Sequence, residues 1–277
     1  MEYVLFYAEG ADALPYVPGD DHIGDWVDDV EGRGVYEYGE RLRPEQDATT
    51  VRVRGGEVLV VDGPFTEAKE AIGGFDVIDA RDLDEAIDIA SRHPVASFGR
   101  VEIRPFVQWP DAAPDARVVP RDFTERPVRG RRYLMLVVAE PAGTRAPDTG
   151  EASDDDPEAW VREMDGRGVR QFGEVLRRPG DATFVRRRHG EVLVTDGGFA
   201  EAKEWVAGFD LIEVDDLAEA IEVAAKHPMA RGGAIELRPL WPFDVHEDHA
   251  ARAERESADR DIRLEPAATE ALAGAAL

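Results

Sequence analysis

Hydrophobic positions in the first hundred residues alternate between the spacing of strands and that of helices. Residues 3–8 form a short apolar run that predicts a buried strand. Four apolar residues then recur at helical spacing: Ile23, Trp26, Val27 and Val30. They predict a helix over residues 22–33 and, after two closing glycines, a second strand over residues 35–42.

A hairpin is predicted next. Two short stretches, residues 49–54 and 57–61, are rich in β-branched residues and flank Gly55-Gly56. Two consecutive glycines tolerate the positive φ angles of a tight two-residue turn. The second stretch runs directly into the peptide Asp62-Gly63-Pro64-Phe65.

The remaining elements are a strand, a helix and a strand. Residues 75–80 and 101–106 are predicted strands. Between them, Asp82 and Glu85 have the spacing of a capping box at the start of a helix, and Pro94 ends that helix. Apart from the hairpin, the order is βαββαβ, which predicts an α+β fold of the ferredoxin-like type.

The whole pattern occurs twice. Residues 38–105 match residues 172–239 at 39 of 68 positions, with a constant offset of 134 residues and no gap. A period this long indicates two domains and not a solenoid, whose units have about 20 to 50 residues. The predicted organisation is a first domain over 1–106, a linker over 107–130, a second domain over 131–243 and a charged, Ala-rich tail over 244–277.

Composition limits the partners. A formal net charge of -26 disfavours binding to nucleic acid or to an anionic membrane, because phosphates would be repelled. There is no cysteine, no apolar run approaching the roughly 20 residues of a membrane helix, and no basic segment before the first strand. We therefore expect a cytoplasmic protein. The preference for arginine over lysine fits either a GC-rich genome or a high-salt cytoplasm.

Two aspartates end the predicted hairpins. Asp62 and its equivalent Asp196 each precede a glycine. They are candidates for an acid, a base or a polar contact to a ligand in a cleft. The alternative is structural, because an Asp-Gly pair commonly caps a tight turn with its carboxylate.

Two of the three lysines occupy equivalent places. Lys69 and Lys203 follow the repeated aspartates in a chain that otherwise uses arginine. A compact ammonium group and a planar guanidinium are not interchangeable, so these lysines are candidates for binding a small anionic ligand. Glu67 and Glu201 are candidate partners. The alternative is a local ion pair inherited at the duplication.

The last strands of the two copies also end in equivalent basic residues. Arg104 and Arg238 each precede a proline. They are candidates for contacts to an anion inside the fold, or for ion pairs with acidic residues of the protein. No zinc-ligand spacing, Ser-His-Asp order, phosphate-binding loop or dinucleotide fingerprint is present, so we expect neither a metal nor a cofactor.

These motifs resemble the YCII-related family, in particular its DGPF branch. The first copy carries Asp62-Gly63-Pro64-Phe65, then Glu67, Lys69, Gly74-Phe75 and the closing segment 101–105, in the family's order. The second copy has Gly198 in place of the proline. The resemblance implies ferredoxin-like halves whose sheets pair face to face in a dimeric α+β barrel. With both copies in one chain, we expect a monomer that contains an internal pseudo-dimer.

The resemblance also suggests a histidine near the start of the first helix as a catalytic group. His22 lies near that place, whereas the equivalent residue of the second copy is Asp156, so a site is expected mainly in the first half. Two functions remain open. One is a cofactor-independent binding or regulatory module, similar to accessory proteins. The other is a small enzyme of the dehydrochlorinase or isomerase kind, with Asp62 or His22 as general base and Lys69 as anion contact.

Overall fold

The computed structural model describes residues 1–10, 13–14, 22–65, 71–109, 117–128, 130–140, 156–197 and 204–241. Glu67, Lys69, Glu201, Lys203 and the predicted tail lie outside these residues.

The described part of the chain contains two similar series of elements. The first series is β1 (Glu2–Glu9), α1 (Ile23–Gly32), β2 (Tyr36–Leu42), β3 (Thr49–Arg54), β4 (Glu57–Asp62), β5 (Ala71–Asp79), α2 (Leu83–Arg92), α3 (Val95–Phe98) and β6 (Arg100–Pro105). The second series is β7 (Arg131–Ala139), α4 (Pro157–Gly166), β8 (Arg170–Val175), β9 (Thr183–Arg188), β10 (Glu191–Asp196), β11 (Trp205–Val214), α5 (Leu217–Lys226), α6 (Met229–Gly232) and β12 (Gly233–Trp241).

The predicted elements of the first copy are confirmed, and most of their bounds agree to within one residue. The strand expected over 75–80 is longer, because β5 begins at Ala71. The capping box at α2 is present: Asp82 accepts a hydrogen bond from the Glu85 amide at 2.9 Å, and Glu85 accepts one from the Arg81 amide at 2.9 Å. The short helices α3 and α6 were not predicted, since each has only four residues.

The fold is a mixed α/β arrangement in which a mostly antiparallel sheet carries a few helices. In the first half the strand order is β6-β1-β5-β2, and in the second half it is β12-β7-β11-β8. Strand β2 pairs with β12 through Leu42 and Leu240. At the other edge, a bridge between Phe106 and Leu176 joins the end of β6 to the end of β8.

The hairpins lie on the opposite halves. Strand β3 of the first half pairs with β12 of the second, and β9 of the second half pairs with β6 of the first. Nothing in the local sequence predicted this exchange. Arg54 and Arg188 fix it in place, because each donates to backbone carbonyls around the short helix of the other half: Ala230, Arg231 and Gly233 for Arg54, and Ala96, Ser97, Phe98 and Gly99 for Arg188.

Among the residues that the structure describes, the core consists of three hydrophobic clusters. Two of them lie between the helices and the sheet of one half, and each includes valines of the exchanged hairpin, Val51 and Val53 in one and Val185 in the other. The third cluster contains residues of both halves. It also contains Val119 and Phe123, from the segment predicted as a linker.

Phe123 is central to the third cluster. Its ring packs edge-on against Tyr38 and Phe172, one from each half, at centroid distances of 5.0 and 5.1 Å. The guanidinium of Arg132 lies 4.5 Å from its centroid. The connecting segment therefore adds a buried anchor between the halves in addition to joining them.

We predict that Phe123→Ala lowers the free energy of unfolding by about 3–5 kcal/mol, because it leaves a cavity where two halves meet. Urea denaturation followed by circular dichroism measures the change. Val128→Ala is the matched control from the same segment, since Val128 is 55% exposed and its truncation should change stability by less than about 0.5 kcal/mol. Equal effects of the two substitutions would contradict a structural role for Phe123.

Candidate functional site

The two predicted aspartates lie at the outer edges of the exchanged hairpins. Asp62 is the last residue of β4 and Asp196 the last residue of β10, and both are exposed. The glycines that follow them, Gly63 and Gly197, have φ angles of 102° and 91°, which favour glycine. The positive φ angles are typical of a turn, and both aspartates are exposed, so a role of either carboxylate in a site stays a prediction.

The described ends of the two repeated peptides lie close together in space. Arg52, on the first hairpin, donates to the Phe65 carbonyl at 3.2 Å and pairs with Glu204 at 3.0 Å. Phe65 belongs to the first copy of the peptide and Glu204 to the second. One guanidinium therefore bridges the described ends of the segments that contain Lys69 and Lys203.

The two predicted arginines are interior residues. Arg104 and Arg238 are each 2% exposed and pair with the glutamate two residues earlier on the same strand, Glu102 and Glu236, at 3.3 Å. Glu236 also accepts a hydrogen bond from the Phe65 amide at 2.9 Å, so this buried pair holds the first repeated peptide on the second half. Contact of either arginine with a ligand stays a prediction.

His22 is exposed at the start of α1. Its Nδ1 lies 3.9 Å from an Asp25 oxygen, and that carboxylate is also exposed. The equivalent residue Asp156 caps α4 by accepting a hydrogen bond from the Glu158 amide at 2.9 Å. The structure does not bring His22 together with Asp62 or with the arginines through any described contact.

A group that was not predicted from sequence forms a buried polar cluster in the first half. Asp76, on β5, accepts a hydrogen bond from the Tyr7 hydroxyl, with Tyr36 close to the same carboxylate. The cluster lies on the helix side of the sheet. It exists because residue 39 on the neighbouring strand is glycine: a Cβ at Gly39 would overlap the carboxylate of Asp76.

Burial raises the pKa of Asp76 to about 7. Hydrogen bonds from Tyr7 and Tyr36 act in the opposite direction, and the nearby Glu40 raises the pKa further. Within the described part of the chain, Asp76 has no ion pair with a basic side chain. Its carboxyl group therefore changes charge close to neutral pH.

Aromatic rings enclose this cluster. The His93 ring stacks on Tyr7 at a centroid distance of 3.9 Å and meets Trp26 edge-on at 4.7 Å. The His93 Nδ1 accepts a hydrogen bond from the Val95 amide at 3.2 Å, which leaves Nε2 as the protonated nitrogen of a neutral ring. Trp26 donates to the Ile89 carbonyl, so its position is fixed as well.

The second half has the same frame with different chemistry. Strand register places Val137 opposite Gly208 as Tyr7 lies opposite Gly74, and Arg170 opposite Ile212 as Tyr36 lies opposite Ile78. Arg170 pairs with Asp210, the equivalent of Asp76, at 2.6 Å.

Arg170 changes the charge balance of the second cluster. Burial raises the pKa of Asp210, but the Arg170 guanidinium lowers it. Burial, together with Arg170, lowers the pKa of His227, the equivalent of His93, to about 4. The second cluster thus forms an internally neutralised ion pair, whereas the first holds an uncompensated carboxyl group.

The sequence contained a signal for these clusters. An aspartate interrupts the apolar run of a buried strand at the same place in both copies, between Phe75 and Val77 and between Phe209 and Leu211. A polar residue in a buried strand requires a hydrogen-bond partner. The tyrosines that supply it come from other strands, far away in sequence.

A cleft of about 1140 Å³ lies beside the second cluster. It is bounded by the N-terminus, by the segments 106–109 and 117–127, and by the end of α4 and the start of β8. Among the residues that line it are Phe106, Gln108, Trp109, Arg117, Phe172 and Glu174. Of the residues predicted from sequence as a site, none of those that the structure describes lines this cleft.

Two features are absent from the described part of the chain. It contains no group of three or more His, Asp or Glu side chains placed to hold a metal ion. Among the same residues, no helix has the length and apolar character needed to cross a membrane.

We predict that the two aspartates respond oppositely to neutralisation. Because the folded state raises the pKa of Asp76, the proton stabilises the fold fully below pH 4, and this contribution is lost as pH rises through about 7. Asp76→Asn removes this dependence. Relative to the wild type, its free energy of unfolding should therefore rise between pH 4 and 7, by at most roughly 1.4 kcal/mol per pH unit.

Asp210→Asn is the matched comparison, measured by the same urea titrations. It leaves the buried Arg170 without its main partner and should cost about 3 kcal/mol at pH 7. If both substitutions had the same pH-independent effect, the contrast between the two clusters would be refuted.

Comparison with known proteins agrees with the duplication. The sequence model of the YCII-related domain matches residues 1–110 and 132–244. An uncharacterized protein of Rhizobium meliloti (strain 1021) is 48% identical over 71 residues, which make up 25% of this chain and 57% of that protein. The crystal structure of a protein provisionally named a chlorite dismutase aligns with 88% of this chain and 95% of its own, at 14% identity. Its TM-score of 0.37 is too low to support conclusions about chemistry.

The YCII-related match covers both halves and most of the chain. The matched stretches contain the two buried clusters and both repeated peptides. This chain therefore belongs to the YCII-related domain family and carries two tandem copies of the domain.

Proposed function

We propose that this protein is a cofactor-independent module, of a regulatory or accessory kind, that binds a small molecule in the cleft between its N-terminus and β8. The observation that carries the proposal is the cleft itself, with a volume of about 1140 Å³ and a wall of aromatic rings and charged groups. Sites for small molecules are typically concave, partly aromatic and about 300–1,000 Å³ in volume. The cleft is slightly larger than this range, which suits a ligand that keeps some water around it.

The proposed architecture is a dimeric α+β barrel formed within one chain. Eight strands follow one another in the order β6-β1-β5-β2-β12-β7-β11-β8, and the bridge from Phe106 to Leu176 supports closure of the ring. The ferredoxin-like halves would be residues 1–106 and 131–243, with 107–130 connecting them and 244–277 as a tail. Because the hairpins are exchanged inside the chain, a second chain is not needed to complete either sheet.

We therefore predict a monomer in solution. Multi-angle light scattering after gel filtration should give a mass near 30.6 kDa, that of one chain. The reason is that each half already provides the edge strand and the core contacts that the other half requires. A stable species of twice that mass at low micromolar concentration would overturn the internal pseudo-dimer.

The residues predicted from sequence as a site belong to a second part of the proposed function, separate from the cleft. Lys69 and Lys203, with Glu67 and Glu201, remain predicted contacts to a small anionic ligand near the joined repeated peptides. The bridge from Arg52 to Phe65 and Glu204 supports a shared location for the two copies. Asp62, Asp196, Arg104 and Arg238 would then be the surrounding turn and anchor residues.

Filling the cleft tests the proposed function. Gln108 is exposed and lines the cleft, so Gln108→Trp should occupy the cleft without disturbing the core. We predict that compounds from a panel of small carboxylates, amines and alcohols that raise the melting temperature of the wild type lose their effect on this variant. Val128→Trp, at an exposed position outside the cleft, is the matched control. Equal stabilisation of Gln108→Trp by every active compound, or no active compound in the panel, would contradict the proposal.

A second candidate function is proton transfer, as in an isomerase or dehydrochlorinase. It is favoured by the placement of Asp76, a buried carboxyl group that accepts a hydrogen bond from the Tyr7 hydroxyl. Burial raises its pKa to about 7, which is suitable for a general base at neutral pH. Asp76 would take the role that the sequence suggested for Asp62 or His22. It would accept a proton from an acidic C–H of a carbonyl compound, and Tyr7 would hold the carboxylate in position.

We predict that such an activity would appear as deuterium exchange at the α-carbon of small ketones and keto acids in D₂O, followed by proton NMR. The base must be ionised, so the rate should rise with pH through about 7 and then level off. Asp76→Asn should abolish exchange, whereas Asp84→Asn, at an exposed helix position, should leave it unchanged. Exchange that survives in Asp76→Asn would exclude this role.

A further inference from the structure

The cationic groups of the cleft are already paired within the protein. Each lies within 3 Å of a carboxylate oxygen: Met1 with Asp79 at 2.7 Å, Arg117 with Glu37 at 2.7 Å, Arg126 with Asp122 at 2.8 Å and Arg170 with Asp210 at 2.6 Å. Ion pairs of this kind reduce the field that an anionic ligand would experience. The cleft therefore offers little net attraction to an anion.

Two carboxylates of the described lining are not in a close ion pair of this kind. Glu2 accepts a hydrogen bond from the Val118 amide at 2.9 Å, and Glu174 accepts bonds from the Trp109 indole at 2.9 Å and from the Val175 amide at 2.8 Å. Within the described residues neither of them forms an ion pair. Burial and Asp79 raise the pKa of Glu2, whereas the Val118 amide, Arg117 and the N-terminal ammonium lower it. Because the pKa is raised on balance, a cation placed nearby would stabilise the charged form.

A buried carboxylate oxygen behind the lining also favours a cationic ligand. The Glu37 side chain is 4% exposed, and its Oε2 binds Arg117 at 2.7 Å. Its Oε1 has no hydrogen-bond partner in the described part of the chain. Burial raises the pKa of Glu37, Arg117 and Arg121 lower it, and Glu2 and Asp79 raise it further. The carboxylates of Glu2, Glu37 and Asp79 therefore lie close enough to one another at this side of the cleft to repel each other.

An aromatic surface lies next to one of these carboxylates. Trp109 is 53% exposed, unusual for the largest apolar side chain, and its indole N–H is fixed on Glu174. Phe106 and Phe172 line the same cleft. A carboxylate beside an exposed indole face is the arrangement that binds ammonium groups, through charge and cation–π attraction together.

We propose that the cleft binds a small organic cation, an ammonium group carried on an apolar body, with Glu174 and Glu2 as counter-charges and Trp109 as the stacking surface. The inference rests on the proposed function, because it names the ligand class of the same cleft. It differs from the anionic ligand predicted from the repeated lysines, which lie in another part of the chain.

Three probes of nearly equal shape test the ligand class: phenethylammonium, the neutral 2-phenylethanol and the anionic 3-phenylpropanoate. Isothermal titration calorimetry in phosphate buffer should show binding of phenethylammonium and at least tenfold weaker binding of the other two. Glu174→Gln and Glu2→Gln should each weaken phenethylammonium at least tenfold, because glutamine keeps a hydrogen-bond acceptor but removes the charge. Glu191→Gln, at an exposed position on β10, should leave the affinity unchanged.

The outcomes distinguish a wrong ligand class from the absence of a binding site in the cleft. If phenethylammonium binds equally well to Glu174→Gln and Glu2→Gln, or if 2-phenylethanol binds as tightly, the inferred ligand class is wrong. If 3-phenylpropanoate binds better and Gln108→Trp blocks it, the cleft is a ligand site for anions and only the class is overturned. If none of the three probes is sensitive to Gln108→Trp, the ligand class is refuted, and the compound panel then decides separately whether the cleft is a site.

Discussion

The structure depends on the exchange of hairpins between the halves. Neither half completes its own sheet, because β3 extends the sheet of the second half and β9 extends that of the first. The exchanged strands also carry valines that fill the hydrophobic core of the host half. Arg54 and Arg188 then attach the hairpin ends to carbonyls around the short helices. The cleft is lined by residues of both halves and of the connecting segment, so its shape depends on how the two halves are held together.

The sequence predicted the elements well because their signals are local. The helical spacing in α1 and the capping box of α2 each lie within about ten residues, and both predictions were confirmed. The pairing partner of a strand, in contrast, cannot be predicted from such local signals. The apolar face formed by Val51 and Val53 shows that β3 must cover a core, but it carries no information about which half supplies that core.

The buried polar clusters show that the candidate site, too, could not be predicted from local sequence alone. Asp76, Tyr7 and Tyr36 come from three strands, and only the assembled sheet brings their polar atoms together. An aspartate inside an apolar run was visible in both copies, yet its consequence depends on whether residue 36 or its equivalent is a tyrosine or an arginine. The duplicated frame thus tolerates different chemistry at one place: a titrating carboxyl group in the first half and a closed ion pair in the second. Phe123 was not predicted as a core residue for another reason. A single aromatic residue in a polar segment has no periodic pattern that would indicate burial.

The reciprocal exchange also determines how the molecule can come apart. Removing one hairpin from its host opens the edge of that host and, at the same time, deprives the donor half of the contacts that held it against its partner. Neither half can be released while the other keeps its native pairing. The two copies should therefore behave as a single cooperative unit in unfolding, in spite of being separate domains by descent. Through the exchange, duplication would thus join two potential folding units into one, and states with a single half open would be disfavoured.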